Sequence, residues 1–292
     1  MSVEFFFKES LGDKNLTDPL WKMPEKGVFT ADFHDDLVKG HCDLVVHSWK
    51  DLPTAELAET HIAATLPRAD ARDILLIRKD SLDVPELRLL SSSPRRAHNI
   101  AAVLKWALPR QYQRFEFISV RGNVPTRLKK LMESSAHGLI VAKAALDRLL
   151  LSTYPEHQSS KEQIKSQLES CLFCVLPIEA NPPAAAQGAL AIEILRSRSD
   201  LFSLLQKINC SSTFKAVSKE REIFSAFGGG CHQKLGVHVR DHDELGMVLS
   251  VAGEDPSGNE LKRHEVIAPK SLSKIFRPEQ SWPLERDEFF FF

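Results

Sequence analysis

A group of polar residues follows the short apolar run Asp43 to Val46 near the start of the sequence. The group contains His47, Ser48, Lys50 and Asp51. Open α/β sheets bind ligands beyond the carboxyl ends of their strands, so these residues are candidates for a binding or catalytic site. A polar turn in which Asp51 caps the next element explains any one of them. It explains the four together less well.

A second candidate site begins with hydroxyl residues and continues into paired arginines. Ser92 and Ser93 precede Arg95 and Arg96 at a predicted helix start. Backbone N–H groups and the helix dipole favour an anion there, and guanidinium groups hold carboxylates with two hydrogen bonds. By itself the signal is weak, because an Arg-Arg pair on a helix is usually a solvated face.

Further arginines occupy comparable positions later in the chain. Arg121 and Arg127 flank the end of another predicted strand, and Arg148 lies on the helix predicted after a fourth. Arginine groups at several strand ends predict a ligand that carries many carboxylates, in preference to a single phosphate.

A glycine run precedes the last candidate, Cys231. Gly228, Gly229 and Gly230 would leave the thiol on a loop with close backbone access, as a covalent attachment point needs. A glycine-rich turn before a strand is the alternative interpretation, and the sequence alone leaves the two about even.

Composition limits the classes of protein that this chain can belong to. The length of 292 residues favours two or three compact units. The 38 Lys and Arg against 39 Asp and Glu argue against a nucleic-acid partner. No run approaches the roughly 20 apolar residues of a membrane span. With five cysteines and no export signal, we expect a cytoplasmic protein with reduced thiols, including a structural Cys171 and Cys174.

Short apolar runs alternate with helical stretches, which predicts an α/β fold with largely parallel sheets. A polar, helix-permissive surface excursion is predicted between Ser152 and Gln167, a hinge at Pro182-Pro183 and a helix from Lys207 to Phe227. Two alternating runs, Leu235 to Val239 and Met247 to Val251, predict a small antiparallel sheet.

Taken in order, these segments make the chain similar to the hydroxymethylbilane synthase (porphobilinogen deaminase) family. The matching blocks are Ser10 to Asp13, Lys26 to Thr30, His47 to Thr54, Arg68 to Asp73, Ser91 to Arg96, Arg121 to Leu128, Gln187 to Ala189 and Glu220 to Cys231. They cover most of the chain.

The resemblance implies three domains. Two resemble the halves of type II periplasmic binding proteins with a cleft between them, and a small α+β domain carries the cysteine. We expect domain 1 to comprise residues 1–70 and 189–201, domain 2 residues 71–188 and domain 3 residues 202–292. The Pro182-Pro183 hinge would be the second crossing between domains 1 and 2.

The resemblance also implies a reaction, in which the enzyme joins four porphobilinogen molecules stepwise, with loss of ammonia, on a dipyrromethane cofactor. Cys231 would hold the cofactor as a thioether, and Asp51 would be the catalytic carboxylate. The partners would be porphobilinogen and the growing pyrrole chain, and a monomer is expected. The implied cofactor-binding residues are Cys231, Ser48, Lys50, Ser92, Ser93, Arg95 and Arg96; the implied substrate-binding residues are Arg121, Arg127, Arg148, Gln187 and Phe29, with Lys26 beside Phe29 in a lid-like segment.

The sequence departs from the family at three places. A Gly-Thr-Arg-x-Ser-x-Leu-Ala motif is expected near the start but is not present. The beginning is therefore incomplete, partly replaced by Val3 to Lys8, or degenerate. Pro94 and Lys234 stand where other residues are usual, and Pro94 is expected to reshape the anion pocket.

Three other functions remain as alternatives to the synthase. They are a binding-only homologue, a generic solute-binding protein, and the N-terminal part of a fusion with uroporphyrinogen-III synthase. The presence of both Asp51 and Cys231 argues against the first.

Overall fold

The computed structural model describes residues 3–8, 30–55, 57–108, 112–230 and 233–269. Phe29, Lys26 and Cys231 lie outside these ranges. The strands are β1 Val45–Ser48, β2 Thr60–Ala64, β3 Asp73–Arg78, β4 Glu86–Leu90, β5 Arg114–Ile118, β6 Gly138–Ala142, β7 Cys171–Val175, β8 Leu190–Leu195, β9 Gly236–His242, β10 Gly246–Glu254 and β11 Glu260–Pro269. The helices are α1 Ala31–Val38, α2 Pro94–Ala107, α3 Val124–Glu133, α4 Lys143–Leu151, α5 Gln158–Glu169, α6 Ser199–Leu205 and α7 Ser211–Ala226.

The first sheet joins segments that are far apart in the sequence. Its order is β1-β8-β2, and β8 runs antiparallel to both neighbours. Ser48, at the end of β1, lies opposite Leu190 at the start of β8. The strand that returns after the prolines therefore forms the centre of the sheet that carries the Asp51 segment.

The second sheet has five strands in the order β5-β4-β6-β3-β7. β4 pairs parallel with β5 and β6, whereas β3 pairs antiparallel with β6 and β7. The expectation of largely parallel sheets was therefore wrong. Alternating helices and strands predict parallel neighbours only where a crossover joins two strands of one sheet. β3 and β8 instead enter from another sheet, and no crossover fixes their direction.

The third sheet is antiparallel, in the order β11-β10-β9. The two alternating runs correspond to β9 and β10. The sequence analysis missed β11, because its Lys262 to Glu265 are all charged or polar.

Two other expectations needed correction. The helix expected from Lys207 begins at Ser211, after α6 has ended at Leu205. The strand expected over Asp43 to Val46 begins at Val45, and Val46 is 53% exposed. The polar excursion predicted between Ser152 and Gln167 contains α5.

The second sheet has a hydrophobic core on each face. Side chains of β3 alternate between the two, since successive residues of a strand point to opposite faces. Ile74 and Leu76 belong to one cluster, and Leu75 and Ile77 to the other. β3 is thus buried on both faces, and Asp73 at its start has no solvent contact.

The strands of the three sheets fall within the three predicted spans, and the domain boundaries themselves stay predictions. Among the described residues, no helix is long and apolar enough to cross a membrane. Cys171 is buried and Cys174 is partly buried, both as free thiols in β7. The described residues contain no cluster of three or more metal-ligating side chains.

Gly236, the first residue of β9, packs against the backbone of the predicted hinge. A Cβ at this position would lie 2.1 Å from Pro182 O. We expect Gly236→Ala to lower the free energy of unfolding by about 3 kcal/mol, because overpacking forces the backbone apart. Gly258→Ala is the control, since a Cβ there meets nothing within 4 Å and only its left-handed backbone costs about 1 kcal/mol. Urea unfolding measures both, and equal losses would contradict the close approach.

Candidate functional site

The turn after β1 presents Asp51 to solvent on a buried support. Residues Trp49–Asp51 form a 3-10 turn, in which Leu52 N donates to Trp49 O at 3.3 Å. The Trp49 side chain is only 3% exposed and packs against Phe214 of α7, with ring centroids 5.3 Å apart. Asp51 is exposed, whereas Ser48 and Lys50 are partly buried.

A buried hydrogen-bond network connects β1 and β2 to the central strand β8. His47 Nε2 lies 2.7 Å from Glu193 Oε2, and Thr60 donates to Glu193 Oε1 at 2.5 Å. Burial opposes the ionised form of Glu193, but the bonds from His47 and Thr60 prevail and lower its pKa. His47 therefore supports the site from inside the first sheet and does not face a ligand.

Asp73 organises the paired arginines. Arg95 donates to Asp73 Oδ2 at 2.8 Å and Arg96 to Asp73 Oδ1 at 2.7 Å. Asn181 and Gln187 donate to the same carboxylate at 3.0 and 2.8 Å. The expected alternative of a solvated Arg-Arg face is wrong, because both arginines are buried.

The start of α2 accommodates Pro94 without loss of a hydrogen bond. Ser93 is the N-cap and its hydroxyl accepts from Arg96 N at 3.3 Å. Pro94 occupies the first turn, where its missing N–H is not needed and its fixed φ suits the helix. Ser92 links β4 to the residues after β5 by accepting from Val120 N at 2.8 Å. The expected reshaping of the pocket by Pro94 is therefore not seen in the local backbone.

Two of the predicted ligand-binding side chains are almost fully used within the protein. Arg95 also donates to Pro182 O at 2.8 Å, and Gln187, 1% exposed, donates to Ala71 O at 2.7 Å. Gln187 keeps a buried Oε1 that finds no donor among the described residues, but this oxygen cannot donate to an anion. Arg96 has a buried Nε that finds no acceptor among the described residues. Of the three, Arg96 retains hydrogen-bonding capacity for a further anion.

The remaining arginines lie on the second sheet's side of the site. Arg127 is partly buried and its Nε donates to Gly122 O at 2.6 Å. Arg148 is exposed, with one nitrogen 3.4 Å from Gly188 O. Arg121 is partly buried in the loop before α3, the helix that carries Arg127, and its carbonyl accepts from Lys130 Nζ at 3.0 Å.

Electrostatic interactions show which of these groups share one region. Burial lowers the pKa of Arg127 to about 10, helped by Arg96 and Arg121 and opposed by Asp51. Partial loss of hydration likewise lowers the pKa of Arg148, although the residue as a whole is exposed, and Asp51 again opposes the shift. The structure thus brings Asp51, from the first sheet, within the field of arginines from the second.

Lys50 belongs to the same group of charges. Loss of hydration lowers its pKa, the charges of Arg96 and Arg95 act in the same direction, and Asp51 and Asp73 oppose the shift. Asp73 is already neutralised by Arg95 and Arg96. Besides this cluster, the site has several cations, Lys50, Arg121, Arg127 and Arg148, and one carboxylate, Asp51. This surplus of positive charge fits a ligand with several carboxylates, such as a dipyrromethane bearing acetate and propionate groups.

The sequence analysis missed three buried carboxylates that hold these segments together. They are Asp73, Glu193 and Glu220, all at most 4% exposed. Each lies in an otherwise apolar environment: Asp73 precedes Ile74 to Ile77, Glu193 interrupts β8, and Glu220 lies on the buried side of α7. A carboxylate inside an apolar run requires a partner, and this signal could have identified them.

Comparison with known proteins identifies the family. Residues 1–203 match the family model described as porphobilinogen deaminase, dipyromethane cofactor binding domain. The porphobilinogen deaminase of Syntrophomonas wolfei is 32% identical over 87% of this chain and 78% of its own length. The enzyme of Bordetella parapertussis is 33% identical over 94% of this chain and 80% of its own length. Among solved structures, a periplasmic arginine-transport binding protein from Legionella pneumophila covers 68% of this chain and 73% of its own at 14% identity, but its TM-score of 0.29 supports no conclusion.

An arginine-rich site around one exposed carboxylate, on a mixed α/β framework, is suited to a polycarboxylated ligand. The class of protein follows from the matching family model and from relatives that align with most of this chain. This chain belongs to the porphobilinogen deaminase family of transferases, whose cofactor is dipyrromethane.

Removal of the Asp73 charge tests the buried network. We expect Asp73→Asn to lower the free energy of unfolding by about 3–5 kcal/mol, because Arg95 and Arg96 would be left buried without a counter-charge. Asp80→Asn is the control, since Asp80 pairs with Arg78 at the surface and should matter by less than about 1 kcal/mol. Urea unfolding at neutral pH measures both, and similar losses would contradict the assigned role.

The pH dependence of stability provides a second test of Asp73. Burial would raise its pKa, but Arg95 and Arg96 prevail and hold the pKa well below its usual range. The folded state therefore binds this proton more weakly than the unfolded state does. The stabilisation is present in full above about pH 4 and declines as the pH falls toward the lowered value. Unfolding between pH 5 and 3 should show a smaller slope for Asp73→Asn than for the unchanged chain.

Proposed function

We propose that this chain is a hydroxymethylbilane synthase. It would join porphobilinogen units stepwise, releasing ammonia at each step and finally a linear hydroxymethylbilane. The observation that carries the proposal is the surplus of arginine and lysine charge around Asp51 in a chain of this family. Binding of a polycarboxylated chain requires that surplus, and chemistry on a cationic intermediate requires the carboxylate.

The cofactor would be held by Cys231 and by groups on both sides of the site. When bound, dipyrromethane supplies the pyrrole carbon to which the first substrate unit is joined. Lys50 and Arg96 would pair with its carboxylates, and Ser48 would add a hydroxyl contact. Ser92, Ser93 and Arg95 would support the cofactor site indirectly, because their side chains form hydrogen bonds with Val120, Arg96 and Asp73 of the protein itself.

Asp51 would stabilise positive charge on the substrate. Loss of ammonia from porphobilinogen leaves a cationic methylene-pyrrolenine, and a carboxylate fixed on a short turn lowers the energy of that species. The same oxygens can accept and return the pyrrole protons that are lost during coupling.

Arg121, Arg127 and Arg148 would bind the acetate and propionate groups of the substrate and of the growing chain. Phe29, a further side chain proposed to bind substrate, falls outside the described residues. Gln187 would act indirectly, since its amide supports Asp73.

The architecture that we propose has two domains of the periplasmic-binding-protein type II kind and a small α+β domain. The substrate cleft would lie between the first two, with boundaries near residues 70, 188 and 201. The chain would act as a cytoplasmic monomer. The presence of both Asp51 and Cys231 favours this enzyme over a binding-only homologue.

Intact mass of the purified protein is the experiment that tests the proposed function. We expect an excess equal to one dipyrromethane, together with the colour of that group in acidic Ehrlich reagent. Cys231→Ser should lose both, whereas Cys174→Ser should keep them, because Cys174 lies in β7 of the second sheet. A folded protein that carries no adduct after incubation with porphobilinogen would refute the synthase assignment.

Asp51→Asn separates cofactor attachment from turnover. The variant should retain the mass excess, because Cys231 is unchanged, but lose at least about 100-fold in kcat without the carboxylate. Asp43→Asn is the matched control, since the exposed Asp43 pairs with Arg198 alone among the residues that the structure describes. Consumption of porphobilinogen measures both. Equal turnover in the two variants would remove Asp51 from the mechanism.

A further inference from the structure

Arg221 holds the backbone of the turn that bears Asp51. Its guanidinium donates to Trp49 O at 3.2 Å, to Leu52 O at 3.1 Å and to Pro53 O. The three carbonyls lie on either side of Asp51 in the sequence. One side chain therefore fixes both arms of the turn, in addition to bonds within the turn such as the one from Leu52 N to Trp49 O.

The helix that carries Arg221 is itself anchored on several sides. The preceding residue, Glu220, is completely buried and accepts from Arg68 at 2.5 and 3.0 Å. It also accepts from Ala186 N at 2.7 Å and from Val239 N at 2.8 Å. Glu220 and Arg221, adjacent residues of α7, thus attach this helix to the segment after Pro182-Pro183, to the third sheet and to the Asp51 turn.

The end of the same helix leads directly to the glycine loop before Cys231. A Cβ on Gly229 would lie 2.9 Å from Thr54 Oγ1, so this loop closely approaches the segment after the Asp51 turn. α7 therefore contacts the turn that bears Asp51 and also leads into the loop that would bear the cofactor. The positions of both depend on this one helix.

The chemistry of arginine suits this task. A planar guanidinium offers five donors in a fixed fork and can span several carbonyls, whereas a lysine ammonium is a compact charge that reaches fewer of them at once. Burial lowers the pKa of Arg221 to about 10, so the group stays protonated at neutral pH. The side chain is only partly buried and points at backbone, not at a carboxylate among the described residues.

We propose that Arg221 is a positioning residue that sets the Asp51 carboxylate relative to the cofactor loop. The proposal rests on the proposed function, because it assigns Arg221 to the same reaction. Arg221 does not touch the substrate in this arrangement. Its loss should leave binding nearly intact and lower the rate of the chemical step.

Steady-state kinetics of Arg221→Met and Arg221→Lys test the proposal, with intact mass recorded for each. We expect kcat to fall about 10- to 100-fold in Arg221→Met, less in Arg221→Lys, and KM to change less than about threefold in both. Both should keep the dipyrromethane mass excess. Arg198→Met is the matched control, since the Arg198 side chain pairs, within the described ranges, with just the exposed Asp43 and Asp200. Its kinetics should be unchanged.

Chemical rescue distinguishes positioning from a purely structural role. Millimolar guanidinium added to Arg221→Ala should restore part of kcat in a saturable way, because the free ion can occupy the site between the carbonyls. Urea at the same concentration should not. If Arg221→Met and Arg221→Ala fail to fold, Arg221→Lys takes their place, because it keeps the positive charge. Its kcat is then compared with and without guanidinium.

The outcomes separate this proposal from the function on which it rests. An unchanged chain without an adduct would refute the synthase assignment. An adduct-bearing Arg221→Met with unchanged kcat would overturn the positioning role alone. A rise in KM at constant kcat would also overturn it, by showing that Arg221 binds a ligand carboxylate directly.

Discussion

Asp73 is a carboxylate without solvent contact, and its charge must be matched inside the protein. Arg95 and Arg96 supply that charge from the start of α2, while Asn181 and Gln187 supply neutral donors from the chain that returns to the first sheet. Such a cluster need not add net stability, since desolvation offsets much of the attraction. It does require these segments to meet at one point, and the anion site is built around that point.

Two further buried carboxylates repeat the arrangement at other junctions. Glu193 connects β8 to His47 and Thr60 on its two neighbouring strands, and Glu220 connects α7 to Arg68 and to two backbone N–H groups. Burial raises the pKa of Glu220, against the influence of Arg68. The exposed Asp51 and Arg148 are thus carried by a framework whose own charges are already paired. They remain available to a ligand.

The sequence was sufficient to predict features that depend on local chemistry. The Asp51 turn, the arginines at strand and helix ends, and β9 and β10 of the third sheet follow from nearby residues. Strand direction in the other sheets could not be predicted, because β3 and β8 are positioned by contacts with distant segments. The partners of Arg95 and Gln187 were also missed for this reason. An arginine reads the same in a sequence whether it faces a ligand or a buried aspartate 22 residues away.

The contact between Arg221 and the Asp51 turn also has a consequence for synthesis of the chain. The hydrogen bonds that fix the turn join residues 168 to 172 positions apart. The first two sheets end at Leu195 and leave the ribosome before α7, which begins at Ser211, and folding proceeds from the N-terminus as the chain emerges. Until then the turn lacks its three-carbonyl clamp, so a nascent chain could have its sheets in place and still be unable to present an ordered carboxylate to substrate. Late closure of long-range contacts therefore delays reactivity until the segment that would bear the cofactor has also emerged.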